Sequence, residues 1–364
     1  MANKQLICSN NDGNFSNSAT KYRCFRRAIH YSLLIIYCLL LIVHCSLSQL
    51  VPNLGGQRSG ISSFQFLKIG ADARGAAMGE AVVAVANDIS SIYWNPAGLT
   101  NTSADQIMFS HAEWLVDVKH EFAAMSYHLD VNNIVGLSSI SLHTDPMQVT
   151  TEYQPTGTGN YFNYSDVAIG LTYARKMTDQ FSFGTTVKYV RETIAELHTD
   201  AVLVDIGTFY YMGIGSSRFS VVVSNFGSNV KPGGSAVNGK GVTVTAFQDF
   251  SPPTMFRLGY AFEPWKEEQY RLTVSIQLNH PNDNAENVRL GGEYEFDNLF
   301  FLRAGVKRTI GESLLGKATS TAEDLSFGAG LKIPLGPTLA NVDYAFTNFN
   351  ELGIVHRISL AITY

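Results

Sequence analysis

From residue 105 to the C-terminus, apolar and polar residues alternate almost one by one. The clearest stretch is 270–279, YRLTVSIQLN. Tyr270, Leu272, Val274, Ile276 and Leu278 share one face, and Arg271, Thr273, Ser275, Gln277 and Asn279 share the other. Successive side chains of a strand point to opposite sides, so this period predicts strands with one apolar and one polar face. The stretches 288–296, 325–333 and 354–364 repeat the pattern. About fourteen such segments are predicted, near 105–113, 119–129, 133–142, 164–175, 181–192, 201–212, 218–226, 254–262, 270–279, 288–296, 299–307, 324–333, 338–347 and 354–364.

A soluble sandwich would alternate too. Three features point to a membrane barrel instead. The segments are about ten residues long, which is what a tilted strand needs to cross a bilayer. Their polar face carries Arg271, Arg289, Glu293, Arg303, Lys307 and Arg357, charges suited to a hydrated or plugged lumen. Aromatics gather near segment ends (Phe181 and Tyr189, Tyr210 and Tyr211, Phe256 and Phe262, Tyr294 and Phe296), as in interfacial girdles. Connections alternate between tight turns such as 130–132 and long loops at 143–163, 227–253 and 308–323. Short periplasmic turns and long external loops characterise outer-membrane barrels. The expected fold is therefore all-β: a closed antiparallel transmembrane β-barrel of about fourteen strands, occupying residues 105–364. An even strand count places both termini on the periplasmic side.

The segment before the barrel reads differently. Residues 49–104 do not alternate, and their small residues, Gly70, Gly75 and Gly79 among them, allow close backbone packing. Residues 81–86 are predicted as a short buried helix, ended by Asn87 and Asp88, with Ser90 or Ser91 opening a turn. Asn95, Pro96, Ala97 and Gly98 form a turn in which Pro fixes one torsion and Gly permits positive φ. A compact segment of this kind is expected to plug the lumen.

Earlier still, Lys21, Arg23, Arg26 and Arg27 precede the apolar run YSLLIIYCLLLIV (31–43), and Ser46 and Ser48 flank Leu47. A basic region, an apolar core and a small-x-small site predict a secretory leader over 1–48, cleaved after Ser48. The run falls short of the roughly 20 apolar residues of a spanning helix. His44 argues against lipidation at Cys45. All four cysteines (Cys8, Cys24, Cys38 and Cys45) lie in this leader, so the exported part has none for a disulfide or a metal. With a formal net charge of -5 and no basic patch, the chain is no candidate for binding nucleic acid.

No Gly-x-Ser-x-Gly elbow or His-Glu-x-x-His helix is present. His111, His120, His128, His143, His198, His280 and His356 are scattered. Asp283, Asn284 and Glu286 could hold calcium with loop carbonyls, but a solvated acidic loop is the preferred account. Neither enzymatic activity, nor a cofactor, nor a metal is expected. The lumen charges are expected to form salt bridges that anchor the plug, because unpaired charge in a narrow lumen is costly.

The stretch 71–99, ADARGAAMGEA followed by IYWNPAGL, resembles the PorV/PorQ family of outer-membrane proteins, a branch of the FadL-like barrels. In that resemblance Asn95, Pro96 and Ala97 match the motif of the N-terminal hatch, with Gly98 closing the turn. The resemblance implies a fourteen-stranded outer-membrane barrel. It implies protein partners of the type IX secretion system and the C-terminal domains of secreted cargo. The alternative it implies is FadL-like transport of long-chain fatty acids or another hydrophobic small molecule. The final Tyr364, with apolar residues two, four and six positions earlier, resembles the signal read by the barrel insertion machinery before the wall meets outer-membrane lipid.

Overall fold

The computed structural model describes residues 60–237, 241–310 and 325–364. The expected leader, the first part of the expected plug and most of the expected loop 308–323 lie outside the described residues.

Among the described residues eighteen strands follow one another. β1 (Gln106–Glu113), β2 (Lys119–His128) and β3 (Asn133–His143) lead to the short β4 (Met147–Gln148) and β5 (Tyr161–Phe162). Then come β6 (Tyr164–Lys176), β7 (Phe181–Ile194), β8 (Leu197–Tyr211), β9 (Arg218–Phe226), and the short β10 (Ala236–Val237) and β11 (Thr243–Val244). β12 (Met255–Lys266), β13 (Tyr270–Pro281), β14 (Asn287–Phe296), β15 (Phe300–Thr309), β16 (Leu325–Leu335), β17 (Thr338–Asn348) and β18 (Ile354–Thr363) complete the chain. Fourteen of them close into an antiparallel barrel, β1 pairing with β18, while β4–β5 and β10–β11 form separate two-stranded sheets in the two longest described loops.

The alternation in sequence becomes the inside and outside of the wall. On β6, Val167, Ile169, Leu171 and Tyr173 face out and are exposed, while Asp166, Ala168, Thr172 and Ala174 are buried. On β13, Thr273, Ser275, Gln277 and Asn279 are buried inside. At one end of the wall Tyr270 stacks with Trp265 and Tyr294 and lies 5.4 Å from the Phe296 ring. Two boundaries differ from the sequence-based expectation. β8 begins at Leu197, so β7 and β8 are joined by a two-residue turn in which Ala195 takes a positive φ of 52°. β12 runs on to Lys266 through an irregularity between Phe262 and Trp265.

Residues 61–105 lie against the inward face of this wall. They include 3-10 turns at Gln65–Lys68 and Pro96–Asn101 and short helices at Ala73–Ala77 and Ser91–Trp94. The expected helix over 81–86 does not form; the stretch is turn. Side chains of the wall and of Asn95 take its backbone groups instead. Gln277 Oε1 accepts from Val83 N, Asn95 Nδ2 donates to Val83 O, and Arg218 Nε donates to Ala84 O.

The first and last described residues lie at different mouths of the barrel. An even strand count does place Gln106 and Tyr364 together, where Tyr364 N donates to Asp105 O. The first described residues sit at the opposite mouth: Phe64 N donates to Glu192 Oε2 at the far end of β7, and Ser63 N to Ser251 O in the β9–β12 connection. The segment therefore runs the length of the lumen before the first strand begins.

Candidate functional site

Inward glycines on seven strands, Gly136 and Gly291 among them, make the room for this segment. A Cβ on Gly184 would strike Pro96 and Ala97, one on Gly207 would strike Asn95, and one on Gly259 would strike Val83. One on Gly305 would meet the backbone of Met78 and Gly79, and one on Gly328 would meet Ala77. Sequence reasoning missed these positions, although glycine on the polar face of a wall strand was a visible signal of a close backbone approach.

The glycines singled out within the segment have related surroundings. Gly70 and Gly75 lie against the Trp94 indole, where a Cβ would stand 3.2 Å and 2.6 Å from ring carbons. Trp94 is 1% exposed, and its Nε1–H donates to Asp72 Oδ1 at 2.5 Å. Gly79 combines a positive φ of 61° with a Cβ position 2.8 Å from Val306 N, so both backbone and space exclude a side chain.

Asn95 caps the following 3-10 turn, its Oδ1 accepting from Ala97 N at 3.1 Å. Its Nδ2 donates to Val83 O and to Thr208 O of β8, at 2.9 and 3.1 Å, so one buried amide joins the turn, the segment and the wall. Pro96 opens the turn, where a missing N–H costs nothing. Ala97 is fully buried against Gly184. Gly98 does not use the positive φ open to glycine; a Cβ there would stand 2.7 Å from Ala86 O, so close packing explains it.

The inward charges converge on the same segment. Glu293 accepts two hydrogen bonds from Arg74, at 2.8 and 2.9 Å, and one from Arg303 Nε at 2.7 Å. Arg303 also reaches Asp343 at 2.5 Å, and Arg74 reaches Asp88 at 2.6 Å. Arg289 pairs with Glu80, and Arg271 with Glu295. Lys307 and Arg357 line a small cavity beside Glu80, and the Arg357 guanidinium lies 5.8 Å from the Trp114 ring centre. Of the six charges named from the sequence, Arg289, Glu293 and Arg303 are buried in pairs with or next to the inner segment. Their partners Arg74 and Glu80 were not foreseen, because the segment's charges stand singly among small residues, and neither was Asp343 on β17. Below this network, at the mouth where β1 begins, a polar vestibule of about 240 Å³ is lined by Arg74, Asp88, Arg271, Glu293 and Asp343.

At the other mouth Lys68 Nζ and Gln65 Nε2 both donate to Asp283 Oδ2, at 2.9 and 2.8 Å. Asp283 and Glu286 are 4% and 3% exposed, so the solvated acidic loop expected there is instead a buried tie. Burial pushes the Asp283 carboxyl up, but hydrogen bonds from Gln65 and Lys68 outweigh it and hold the group below its usual value. A depressed carboxyl stabilises the fold above its unfolded pKa, and that contribution disappears as pH falls through the folded one. The tie therefore holds at neutral pH and loosens below the ordinary carboxylate range of about 4. Hydrogen exchange at residues 62–69, corrected for intrinsic rate, is expected to rise in acid. Asp283→Asn is expected to show that faster exchange already at pH 7.

A cleft of about 860 Å³ opens on this same side between the β4–β5 and β10–β11 hairpins, lined by Tyr161, Phe162, Ile194, Leu197, Ala236 and Val237. The final Tyr364 faces outward at the opposite mouth and is 53% exposed.

Residues 55–283 match the family described as type IX secretion system protein PorV, well over half of the chain. The chain belongs to the PorV family. Its barrel places it in the outer membrane. The search of curated proteins returned no match. Among solved structures, the CymD monoaromatic hydrocarbon channel superposes with a TM-score of 0.54 at 12% identity, covering 81% of this chain and 96% of its own. The toluene transporters TodX of Pseudomonas putida and TbuX of Ralstonia pickettii give TM-scores of 0.53 and 0.52 at 14% and 12% identity. They cover 80% and 81% of this chain, and 97% of their own length in each case. At this identity the likeness concerns the fold alone: a FadL-like barrel.

Proposed function

We propose that this barrel is a binding and scaffold protein of type IX secretion, engaging secretion-system proteins and the C-terminal domains of secreted cargo through its external loops. The observation that carries the proposal is the PorV match across the inner segment and most of the wall. The buried network of Arg74, Glu293, Arg303 and Asp343 supports it, since a lumen occupied along its length favours recognition at the mouth over passage through the barrel. Residues up to 104 serve as the plug, after removal of a leader ending at Ser48. Asn95–Gly98 act as the seat of that plug on β7 and β8. Tyr364 acts in recognition by the insertion machinery, with the C-terminus periplasmic. The cleft between the two loop hairpins is the contact surface, since exposed apolar clefts mark interaction sites. No catalytic step is assigned.

A second proposal is transport of a hydrophobic compound, supported by the fold shared with hydrocarbon channels. Affinity purification of the tagged protein from cross-linked outer membranes, read by mass spectrometry, separates the two. Co-recovery of a translocon barrel or of cargo sharing a C-terminal domain is the expected result. Recovery of the barrel alone, with lipid in its lumen, would overturn the secretion proposal in favour of transport.

A further inference from the structure

We propose that residues Gly60–Lys68 form a clasp at the cell-exterior surface of the barrel. The inference rests on the outer-membrane placement and not on the partner assigned above.

The two mouths are distinguished by their connections. Where β1 begins and β18 ends, the connections are the tight turns at 129–132, 177–180, 212–217, 267–269, 297–299 and 336–337. The opposite mouth carries 144–163 and 227–254, each long enough to hold its own hairpin. Tight turns face the periplasm and long loops the exterior. The long-loop mouth is therefore the outer one.

Residues Gly60–Lys68 lie at that mouth and are tied there to two connections and to the end of β7. Ser63 N and Oγ donate to Ser251 O, next to a parallel bridge between Ser62 and Ser251. Phe64 N reaches Glu192, two residues before the β7 end, and Lys68 and Gln65 reach Asp283 between β13 and β14. Ile61 stays 48% exposed. At the periplasmic mouth the chain is tied by other residues: Asn101 Oδ1 accepts from Tyr211 OH, Thr100 Oγ1 donates to Ser182 Oγ, and Asp105 Oδ1 accepts from His128 N.

Single cysteines provide the test in intact cells, using a membrane-impermeant maleimide. All four native cysteines precede residue 46, and the parent protein is the blank. Tyr153→Cys in the long 144–163 loop marks the outside, and Asp179→Cys in the tight 177–180 turn marks the periplasm. Ile61→Cys and Gln65→Cys, two exposed clasp positions, are expected to react in intact cells as fully as Tyr153→Cys. Asp179→Cys is expected to react only after the outer membrane is permeabilised. If both clasp variants instead behave like Asp179→Cys while the folded barrel keeps its heat-modifiable mobility, the proposal is overturned. The partner proposal would survive that outcome unchanged.

Discussion

Replacing Gly305 by valine will unseat the inner segment while leaving the barrel wall paired. The Cβ would enter the backbone of Met78 and Gly79, which cannot turn aside as a side chain can. Ser326 Oγ holds the neighbouring Ala77 carbonyl at 3.1 Å, which limits retreat further. Overpacking a core costs about 1–3 kcal/mol where side chains can adjust; against fixed backbone the upper end of that range applies. Strand pairing of Gly305 with Gly291 and Ser326 uses backbone groups only, so insertion and heat-modifiable mobility should persist. Conductance in planar bilayers is expected to rise, and trypsin should cut at Arg74, a site held in the folded protein by Glu293 and Asp88. Gly292→Val is the control, because nothing lies within 4 Å of its Cβ position. A closed, uncut Gly305→Val barrel would show that the segment does not depend on this contact.

The second large effect is expected at Glu293. Its carboxylate is shared by Arg74 of the inner segment and Arg303 of β15, all three largely buried. Glu293→Gln keeps the shape and removes the charge, leaving two guanidinium groups facing one another with the carboxylates of Asp88 and Asp343 at their outer sides. Breaking a buried pair by removing one partner costs about 3–5 kcal/mol, most of it the desolvated charge left behind. The exposed pair of Arg191 and Asp200 offers the contrast: Asp200→Asn is expected to cost about 0–1 kcal/mol, as water already solvates both groups. Urea titration of the folded band in detergent would compare them, and equal losses would rule out Glu293 as the junction of segment and wall.

The pattern along the chain determined the wall. A barrel strand has lipid on one side and lumen on the other, so each position meets one of two solvents and the alternation is written residue by residue. For that reason fourteen strands, their order and their inward face could be read from β1 to β18, with boundaries off by a few residues. The sharpest local motif, Asn95–Gly98, was also visible, because turn chemistry is a property of neighbours in sequence. The reason for Gly98 was not, since Ala86 O approaches it only in the fold.

Tertiary structure decided what lies inside the wall. Residues 61–105 have no period of their own and no helix long enough to form alone, so their shape follows from the groups around them. Val83 bonds to Gln277 and to Asn95 and not to its own next turn, and the expected helix over 81–86 gives way. The pairing of Arg74 with Glu293, more than two hundred residues apart, leaves no mark in local spacing. Nor could strand count say at which mouth residues Gly60–Lys68 lie. An even number fixes the two ends of the wall alone, and it took the ties of Phe64, Ser63 and Lys68 to place Gly60–Lys68 at the other end of the lumen. The wall is a local consequence of two solvents; the path within it depends on which distant groups meet in space.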